Sequence, residues 1–314
     1  MGKKNLYSLA ALAGVVLILP PIIGNPYYIG VLVFVGIYSL ITIGLSLLIG
    51  YAGQISLGHA AFFGLGAYTS GILSTRFGLS PWLGMVAAVF LTCGVAFIIG
   101  FPVLKLKGHY LAMATLAFGE IIYIVFNQWA EYTGGPSGFG GIPNFSLGSI
   151  SLESDTGYYY FVWGIVLLII FLSLNLIHSR VGRALRAINE GELAAACMGV
   201  DISRYKLKIF VLSAFFAGLA GSLYAHFVTF ISPGTFSVMF SIVLLTMVAI
   251  GGIANIWGAI MGAALLTILP EYLRVFRDYD ILIYGSVLLF IMIFLPDGLL
   301  IGIFHLFKKK ENLP

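Results

Sequence analysis

Long apolar stretches without a charged residue set the pattern of this chain. Residues 5–75 and 81–104 contain no Asp, Glu, Lys or Arg. A run of about 18 or more apolar residues predicts a membrane-spanning helix. The period-two alternation of transmembrane β-strands does not occur, which excludes a β-barrel. The pattern predicts ten spans, over residues 6–24, 28–49, 57–75, 81–103, 110–128, 158–178, 208–231, 237–252, 254–270 and 281–296.

Composition agrees with this pattern. Apolar residues make up 60% of the chain and charged residues only 9%, whereas soluble domains have about 25% charged residues. We therefore predict an all-α, polytopic integral membrane protein with about eight to ten transmembrane helices, forming one membrane domain over residues 1–314. The spans near residues 50–75 and 237–270 are interrupted by glycines and are expected to be broken or re-entrant.

Basic residues predict the orientation. With Lys3 and Lys4 inside, ten crossings place 13 of the 16 Lys and Arg residues on the cytoplasmic side, including Lys308 to Lys310. Short cytoplasmic loops are enriched in Lys and Arg. We therefore expect both termini in the cytoplasm and an even number of crossings.

The largest predicted cytoplasmic feature is residues 179–208. We expect a short helix over residues 183–198, ended by Gly199 at its C′ position, with Asp201 or Ser203 capping the next helix. This helix is too polar to span a membrane. It is either a basic loop that fixes topology or a coupling helix that docks on a separate motor subunit. The candidate contacts are Arg183, Arg186, Glu190, Glu192, Ala194, Ala195 and Gly199.

Polar residues within the apolar background are candidates for a solute path. The segment Gly50–Gly71, which we call the opening segment, is rich in glycine and contains Gln54, Ser56 and His59. Irregular or polar backbone at membrane depth requires surrounding protein or a water-filled cavity. His59 is more simply explained as a hydrogen bonder between helices than as a proton carrier. Asn255 follows a glycine-rich turn that interrupts an apolar run, and such breaks can mark substrate sites.

Among single residues, Glu120 is the most specific candidate for a residue of the permeation path. It is predicted near the middle of the span over residues 110–128. An ionisable group at that depth is costly and usually faces the protein interior. Either a structural carboxyl or a residue of the permeation path fits this position.

The predicted external loop, residues 129–157, has no Lys or Arg and has a glycine-rich centre. Its candidates for docking an extracytoplasmic binding protein are Gly134, Gly135, Pro136 and Gly138. No metal-ligand spacing, catalytic constellation or nucleotide-binding GxxxxGK[ST] motif occurs in the sequence. We therefore expect no enzyme, cofactor or metal site, and ATP and Mg²⁺ would be bound by partner subunits.

Five motifs together resemble the permease family of bacterial ABC importers for branched-chain amino acids, and its LivM-type subunits in particular. They are GYAGQISLGHAAFFGLGAY (50–68), LAMATLAFGEI (111–121), TGGPSGFGGIP (133–143), RALRAINEGELAAACMGVDISRYKL (183–207) and LPDGLL (295–300).

The resemblance implies a heterodimer with a LivH-type permease, two cytoplasmic ABC ATPases and an extracytoplasmic amino-acid-binding protein in the bacterial inner membrane. It also implies that residues 183–199 match the coupling loop of ABC permeases, whose pattern is EAA followed by Gly. Ala194, Ala195 and Gly199 fit this pattern, but Leu193 occupies the Glu position and Glu192 stands one residue early.

The sequence leaves three alternative functions open. A similar scaffold moves urea or short amides, although the GIP ending of the external loop favours the amino-acid branch. An ATP-independent secondary transporter or channel would use Glu120 and His59 as proton or ion sites. A membrane scaffold without transport activity would have the same composition.

Overall fold

The computed structural model describes residues 3–147, 150–151 and 154–273, and the isolated positions 285, 286, 289, 293 and 298. The tenth predicted span lies outside the continuously described residues, as do Lys308 to Lys310. The helices are α1 (Lys3–Ile23), α2 (Pro26–Ser46), α3 (His59–Arg76), α4 (Pro81–Val103), α5 (His109–Gln128), α6 (Ala130–Thr133), α7 (Asp155–His178), α8 (Arg180–Glu190), α9 (Glu192–Cys197), α10 (Ile202–Val228), α11 (Val238–Gly251) and α12 (Ile256–Leu273).

Four two-residue strands form two small antiparallel pairs. β1 (Phe139–Gly140) pairs antiparallel with β4 (Phe230–Ile231), and β2 (Ser146–Leu147) pairs antiparallel with β3 (Ile150–Ser151). The other regular elements within the described residues are helices, which confirms the all-α prediction.

Within the described residues, seven helices are long and apolar enough to cross a membrane. The two other predicted spans in this part are helices as well. Helix α3 is rich in small and polar residues and falls below the hydropathy of a typical span. Helix α11 has 14 residues and so measures about 21 Å, less than the hydrocarbon thickness of about 30 Å.

The interruptions predicted near residues 50–75 and 237–270 are both present. Helix α2 continues through a π-helical turn at Leu47–Tyr51, after which residues 53–58 are non-helical before α3 begins. Helices α11 and α12 are separated by a turn in which Gly252 (φ 110°) and Ala254 (φ 65°) have positive φ angles. Because glycine adopts such angles without strain, Gly252 favours a turn here.

Two units of similar build form the centre of the bundle. In the first, the long helix α2 precedes a non-helical segment and the packed pair α3–α4. In the second, α10 precedes a connecting segment with a 3₁₀ helix (Pro233–Phe236) and the packed pair α11–α12. Helix α2 packs against α10, the α3–α4 pair packs on α10, and the α11–α12 pair packs on α2. Helix α2 ends at the end of the bundle where α10 begins, so the units are arranged as an inverted repeat.

This repeat has a short trace in the sequence. Residues 55–58 read Ile-Ser-Leu-Gly, and residues 231–234 read Ile-Ser-Pro-Gly. Both tetrapeptides lie in the connecting segment that follows the long helix of their unit, and in the second unit a 3₁₀ helix begins within it, at Pro233–Phe236. Four similar residues are too few to reveal the repeat without the structure.

Glycines set the close approach of α3 and α10. A Cβ on Gly66 would overlap the carbonyl oxygen of Gly218, and a Cβ on Gly221 would overlap that of Phe63. Small residues let membrane helices approach closely enough for extensive van der Waals packing. Gly66 therefore allows α3 to pack closely on α10 of the same chain.

The two ends of the bundle have distinct chemistry. We call the end formed by residues 50–58, 104–108, 179–201 and 252–255 the basic end. The opposite end contains residues 77–80, 129–147, 150–151 and 229–237, where β1 pairs with β4 and Trp82 Nε1 donates to the Ser146 carbonyl at 2.8 Å. This grouping of loops matches the alternation of crossings predicted for the described part of the chain.

Candidate coupling surface and translocation path

Three segments singled out by sequence meet at the basic end. The Asn189 side chain on α8 donates to the Gly50 carbonyl at 3.0 Å. The Tyr51 hydroxyl donates to the Ala254 carbonyl at 2.8 Å, in the turn between α11 and α12. Only glycine fits at position 50, because a Cβ on Gly50 would overlap the backbone of Ala254. The opening segment, the predicted coupling helix and the broken span therefore form one contact region.

The predicted coupling helix is two helices. Its first, α8, begins at Arg180 because the Ser179 hydroxyl accepts hydrogen bonds from the backbone N–H groups of Val181 and Gly182. The prediction of one continuous helix over residues 183–198 is wrong, since Gly191 has extended backbone (φ −177°, ψ 107°). Glycine weakens a helix interior, and here it allows α9 to begin in a new direction.

The end of α9 follows the predicted capping chemistry. Gly199 has φ 81°, its N–H donates to Ala196, and the Val200 N–H donates to Ala195. These two bonds form a Schellman motif, which favours glycine at C′. The Asp201 carboxylate then accepts from the Arg204 N–H at 3.2 Å and caps α10.

In the predicted coupling segment, which consists of α8 and α9, the outer surface of α9 is apolar. Leu185, Ile188 and Ala195 are buried against the bundle, whereas Leu193 is 84% exposed and Met198 is 85% exposed. The remaining residues of this outer surface are also exposed, namely Ala194, Ala196, Cys197 and Gly199. An exposed apolar cluster on a polar segment is typical of a protein-binding site.

The charged candidates on α8 divide into two kinds. Arg183 and Glu190 are exposed and have no ion-pair partner among the described residues. Arg186 instead donates from Nη2 to the Ile177 carbonyl at 3.1 Å, at the end of α7. A cation there complements the partial negative charge of a helix C-terminus, so Arg186 also fixes α8 on α7.

Glu192 joins three elements of the basic end. Its carboxylate contacts Lys107, in the loop before α5, at 2.6 Å, and also the buried Lys206 of α10. Burial raises the pKa of Glu192, but hydrogen bonds from Lys107 and Lys206 and their positive charges outweigh it, so the pKa lies below the ordinary value. Sequence spacing could not identify this cluster, because Lys107 is remote from the other two in the chain.

The path candidates of the opening segment are all buried. His59 lies between two hydroxyls, with Nδ1 3.0 Å from Ser56 Oγ and Nε2 2.7 Å from Ser213 Oγ on α10. This arrangement supports the simpler of the two interpretations, a hydrogen bonder between helices. Gln54 is 1% exposed, yet neither its amide oxygen nor its nitrogen has a hydrogen-bond partner among the described residues.

A second buried polar cluster was not predicted. His226 Nε2 lies 2.8 Å from Ser70 Oγ, which also accepts from Ser222 at 2.8 Å. The other ring nitrogen, Nδ1, lies 2.6 Å from the Pro143 carbonyl in the external loop. The cluster fixes that loop to α3 and α10. No local pattern signals it, since its members come from distant parts of the chain.

The structure gives Asn255 and Glu120 different surroundings. The Asn255 side-chain oxygen accepts from the N–H groups of Trp257 at 3.1 Å and Gly258 at 3.3 Å, so it caps α12. Glu120 is exposed on α5, and the expectation that it faces the interior of its own chain is wrong. No described residue forms a hydrogen bond or ion pair with it.

The glycines of the external loop shape its turn. Gly134, Gly135 and Gly138 all have positive φ angles, and a Cβ on Gly138 would lie 2.5 Å from the Phe230 ring. Only Pro136 and Ser137 project from the turn as exposed residues. Within the described residues, no group of three His, Cys, Asp or Glu side chains could hold a metal ion.

Known proteins similar to this chain are permease proteins of branched-chain amino acid transport systems. Residues 27–295 match the family described as branched-chain amino acid transport system, permease component. The chain is 36% identical to the LivM permease protein of Escherichia coli over 84% of this chain and 68% of that protein. It is 24% identical to the LivH permease protein of the same organism, and 27% identical to BraD of Pseudomonas aeruginosa, each over 84% of this chain and 91% of the relative. No solved structure matches the chain.

Proposed function

This chain belongs to the family of permease components of branched-chain amino acid transport systems, and we propose that it forms half of the transmembrane part of an ATP-driven importer. The other half would be a LivH-type permease, with two ATPases on the cytoplasmic side and a binding protein outside. The observation that supports this best is the exposed apolar surface of α9, held on the bundle by Glu192.

The basic end is proposed to face the cytoplasm. Ten of the Lys and Arg residues that support this orientation belong to Lys3, Lys4, the 104–108 loop and residues 179–208. Short cytoplasmic loops are enriched in such residues. One of the two ATPases would then meet α8 and α9.

Coupling is proposed to run through the surface around Leu193 and Met198. A groove on an ATPase could receive these two side chains, while Arg183 and Glu190 set the register. Motion of α9 would reach α5 through Lys107, α10 through Lys206, and the end of α2 through Asn189.

Leu193→Asp tests this surface, because a carboxylate would be buried without a partner in the docked state. We expect at least a tenfold loss of transport-coupled ATPase activity with an intact permease. Ser203→Asp, an exposed change at the same end, is the matched control. Equal activity of both variants would contradict docking at α9.

The solute path is proposed to pass near Gln54 and Glu120. Buried amides normally have hydrogen-bond partners, and the unpaired Gln54 amide would gain them from water or a polar solute. Asn255 and His59 would act by holding α12 and α10 in place. On the opposite side, Pro136 and Ser137 are the proposed contacts for a binding protein, with the three glycines shaping the turn.

The substrate is tested by reconstitution with candidate ATPases and binding proteins. We expect leucine-, isoleucine- or valine-loaded binding protein to stimulate ATP hydrolysis, and urea or short amides to have no effect. If only urea stimulated ATP hydrolysis, the substrate would be urea or a short amide and not a branched-chain amino acid. Uptake by this chain alone that collapses with the proton gradient would favour a secondary transporter.

A further inference from the structure

Helices α4 and α10 meet closely at the basic end of the bundle. The last turn of α4 packs on the first turns of α10, since a Cβ on Gly100 would lie 2.8 Å from Leu207 Cδ1 and 3.1 Å from Phe210 Cδ1. Helix α4 ends at this end of the bundle and α10 begins there. The residues that follow α4 and the residues that begin α10 therefore lie at the same level.

Both helices present apolar side chains on the side of this contact that points away from α3. Ser213 of α10 faces α3, and the residues two positions before and after it point the opposite way, because successive helical residues are about 100° apart. These residues are the partly exposed Val211 and Phe215. On α4, the exposed Phe97 and Phe101 follow each other at helical spacing. We call the strip formed by these four side chains the α4–α10 seam.

The loop after α4 and the first turns of α10 carry more basic side chains than the chain neutralises. Three of them form ion pairs, namely Lys107 and Lys206 with Glu192, and Arg204 with Asp201. Lys105 and Lys208 are exposed and have no ion-pair partner among the described residues. The α4–α10 seam therefore ends in two positive charges that no described carboxylate balances.

Aromatic rings hold these two ammonium groups at the boundary of the seam. Lys105 Nζ lies 5.1 Å from the centroid of the Phe101 ring, and Lys208 Nζ lies 5.8 Å from that of the Tyr205 ring. Such distances are typical of cation–π contacts. Because Phe101 precedes Lys105 on α4, the Lys105 side chain points back toward the membrane. Tyr205 precedes Lys208 on α10, so the Lys208 side chain points toward the basic end, and the two ammonium groups approach one level.

We propose that the α4–α10 seam binds an anionic phospholipid, with the lipid phosphate between Lys105 and Lys208 and the acyl chains along the apolar strip. Basic pockets between transmembrane helices recognise anionic headgroups, and lysine stems pack on apolar surface while their charged ends stay among the headgroups. A zwitterionic lipid carries its own cation and would leave the two lysines without a net counter-charge. The site depends on the chain crossing a bilayer, and not on the solute, the ATPases or the second permease.

Fluorescence quenching tests the site in the assembled complex in vesicles. Phe97→Trp places an indole in the seam, six residues before α4 ends at Val103. Leu172→Trp on α7 is the matched control, because Leu172 is also exposed and lies six residues before its helix ends at His178. Phospholipids with brominated acyl chains quench an indole that they contact. The signal of the four native tryptophans is subtracted with the parent complex.

We expect brominated phosphatidylglycerol to bind at Phe97→Trp at least fivefold more tightly than brominated phosphatidylcholine. At Leu172→Trp the ratio should be at most twofold. Equal affinity of the two lipids at Phe97→Trp would overturn the proposal. Absence of quenching there by either lipid would overturn it as well, since a protein would then cover the seam.

Lys105→Gln and Lys208→Gln, each combined with Phe97→Trp, test the headgroup contacts. Each removes one positive charge near the lipid phosphate, so we expect the affinity for phosphatidylglycerol to fall about fivefold and that for phosphatidylcholine to stay unchanged. Arg180→Gln is the control, because it removes an exposed charge at the same end from α8. An equal loss in the control would show a general attraction of anionic lipid without a site. Unchanged affinity in both lysine variants would also contradict the site.

Inorganic phosphate distinguishes a lipid from a soluble anion. We expect added phosphate to leave the binding of phosphatidylglycerol unchanged relative to chloride at the same ionic strength, because the seam also holds the acyl chains. Displacement of the lipid by phosphate, but not by chloride, would assign the two lysines to a soluble anion and overturn the proposal.

Discussion

The side chain of Asn189 donates a hydrogen bond of 3.0 Å to the backbone carbonyl of Gly50. This single bond joins the proposed coupling segment to the end of α2. Gly53, with φ 64°, lies directly against the same side chain, since a Cβ there would be 2.7 Å from Asn189 Oδ1. Gly53 therefore leaves room for the Asn189 side chain, a role that differs from helix packing.

Asn189→Ala is expected to weaken this joint. Leaving the partly buried Gly50 carbonyl without its donor costs about 1–3 kcal/mol. We therefore expect a lower thermal unfolding temperature and weaker stimulation of ATP hydrolysis by loaded binding protein. Ser203→Ala, which removes an exposed hydroxyl nearby, serves as control. Unchanged stability and stimulation would show that the bond has no mechanical role.

Glu192→Gln is expected to destabilise the basic end. Lys206 is buried and would lose its counter-charge, and hydrogen bonds to charged groups contribute about 1.5–3 kcal/mol. The double variant Glu192→Gln, Lys206→Met should recover part of the loss, because no buried charge remains unpaired. A double-mutant cycle by thermal unfolding measures the interaction.

The control for this cycle is the exposed pair Asp201–Arg204. Its side chains are 49% and 80% exposed, and exposed ion pairs contribute about 0–1 kcal/mol. Arg204→Gln should therefore have little effect. A loss as large as that of Glu192→Gln would mean that burial of Lys206 is not the cause.

The ion pairs of Glu192 with Lys107 and Lys206 predict that the stability of the protein depends on pH. The pKa of Glu192 is lowered in the folded protein, so its stabilising contribution is complete above the unfolded pKa of about 4.3 and is lost as the pH falls through the lower folded pKa. The stability difference between the native protein and Glu192→Gln should be constant from pH 8 to pH 5 and shrink below about pH 4.3. A difference that already fades near pH 6 would contradict a lowered pKa.

Gly66→Ala is expected to separate α3 from α10. Its Cβ would overlap the Gly218 carbonyl oxygen, and overpacking of a core costs about 1–3 kcal/mol. Gly164→Ala on α7 is the matched control, because no atom lies within 4 Å of its added Cβ and alanine favours a helix. Thermal unfolding in detergent should show a large decrease for the first variant only.

Gly199→Pro is expected to uncouple ATP hydrolysis from transport. Proline fixes φ near −65° and has no N–H, whereas Gly199 has φ 81° and donates to Ala196. The Leu193–Met198 surface would lose its fixed orientation. Gly191→Ala is the control, since its backbone is extended and its added Cβ meets only Ala194 at 3.8 Å. Normal uptake in vesicles by Gly199→Pro would disprove the coupling assignment.

Local signals in the sequence determined much of this protein. Apolar runs located nine helices within the described residues, because a bilayer requires long apolar segments whose backbone groups are satisfied internally. Gly199 and Asp201 marked helix ends correctly, since capping depends on neighbouring residues. The breaks near Gly53 and Gly252 were also predictable, because they depend on backbone freedom at those positions.

Only the tertiary structure decided which polar residues meet. It paired His59 with Ser213, His226 with Ser70, and Glu192 with Lys107, all joining distant parts of the chain. It also made Asn255 a helix cap and placed Glu120 on the outside of its own chain. A side chain's partner depends on how helices rotate and cross, which is fixed by the summed packing of the whole bundle and not by any local pattern.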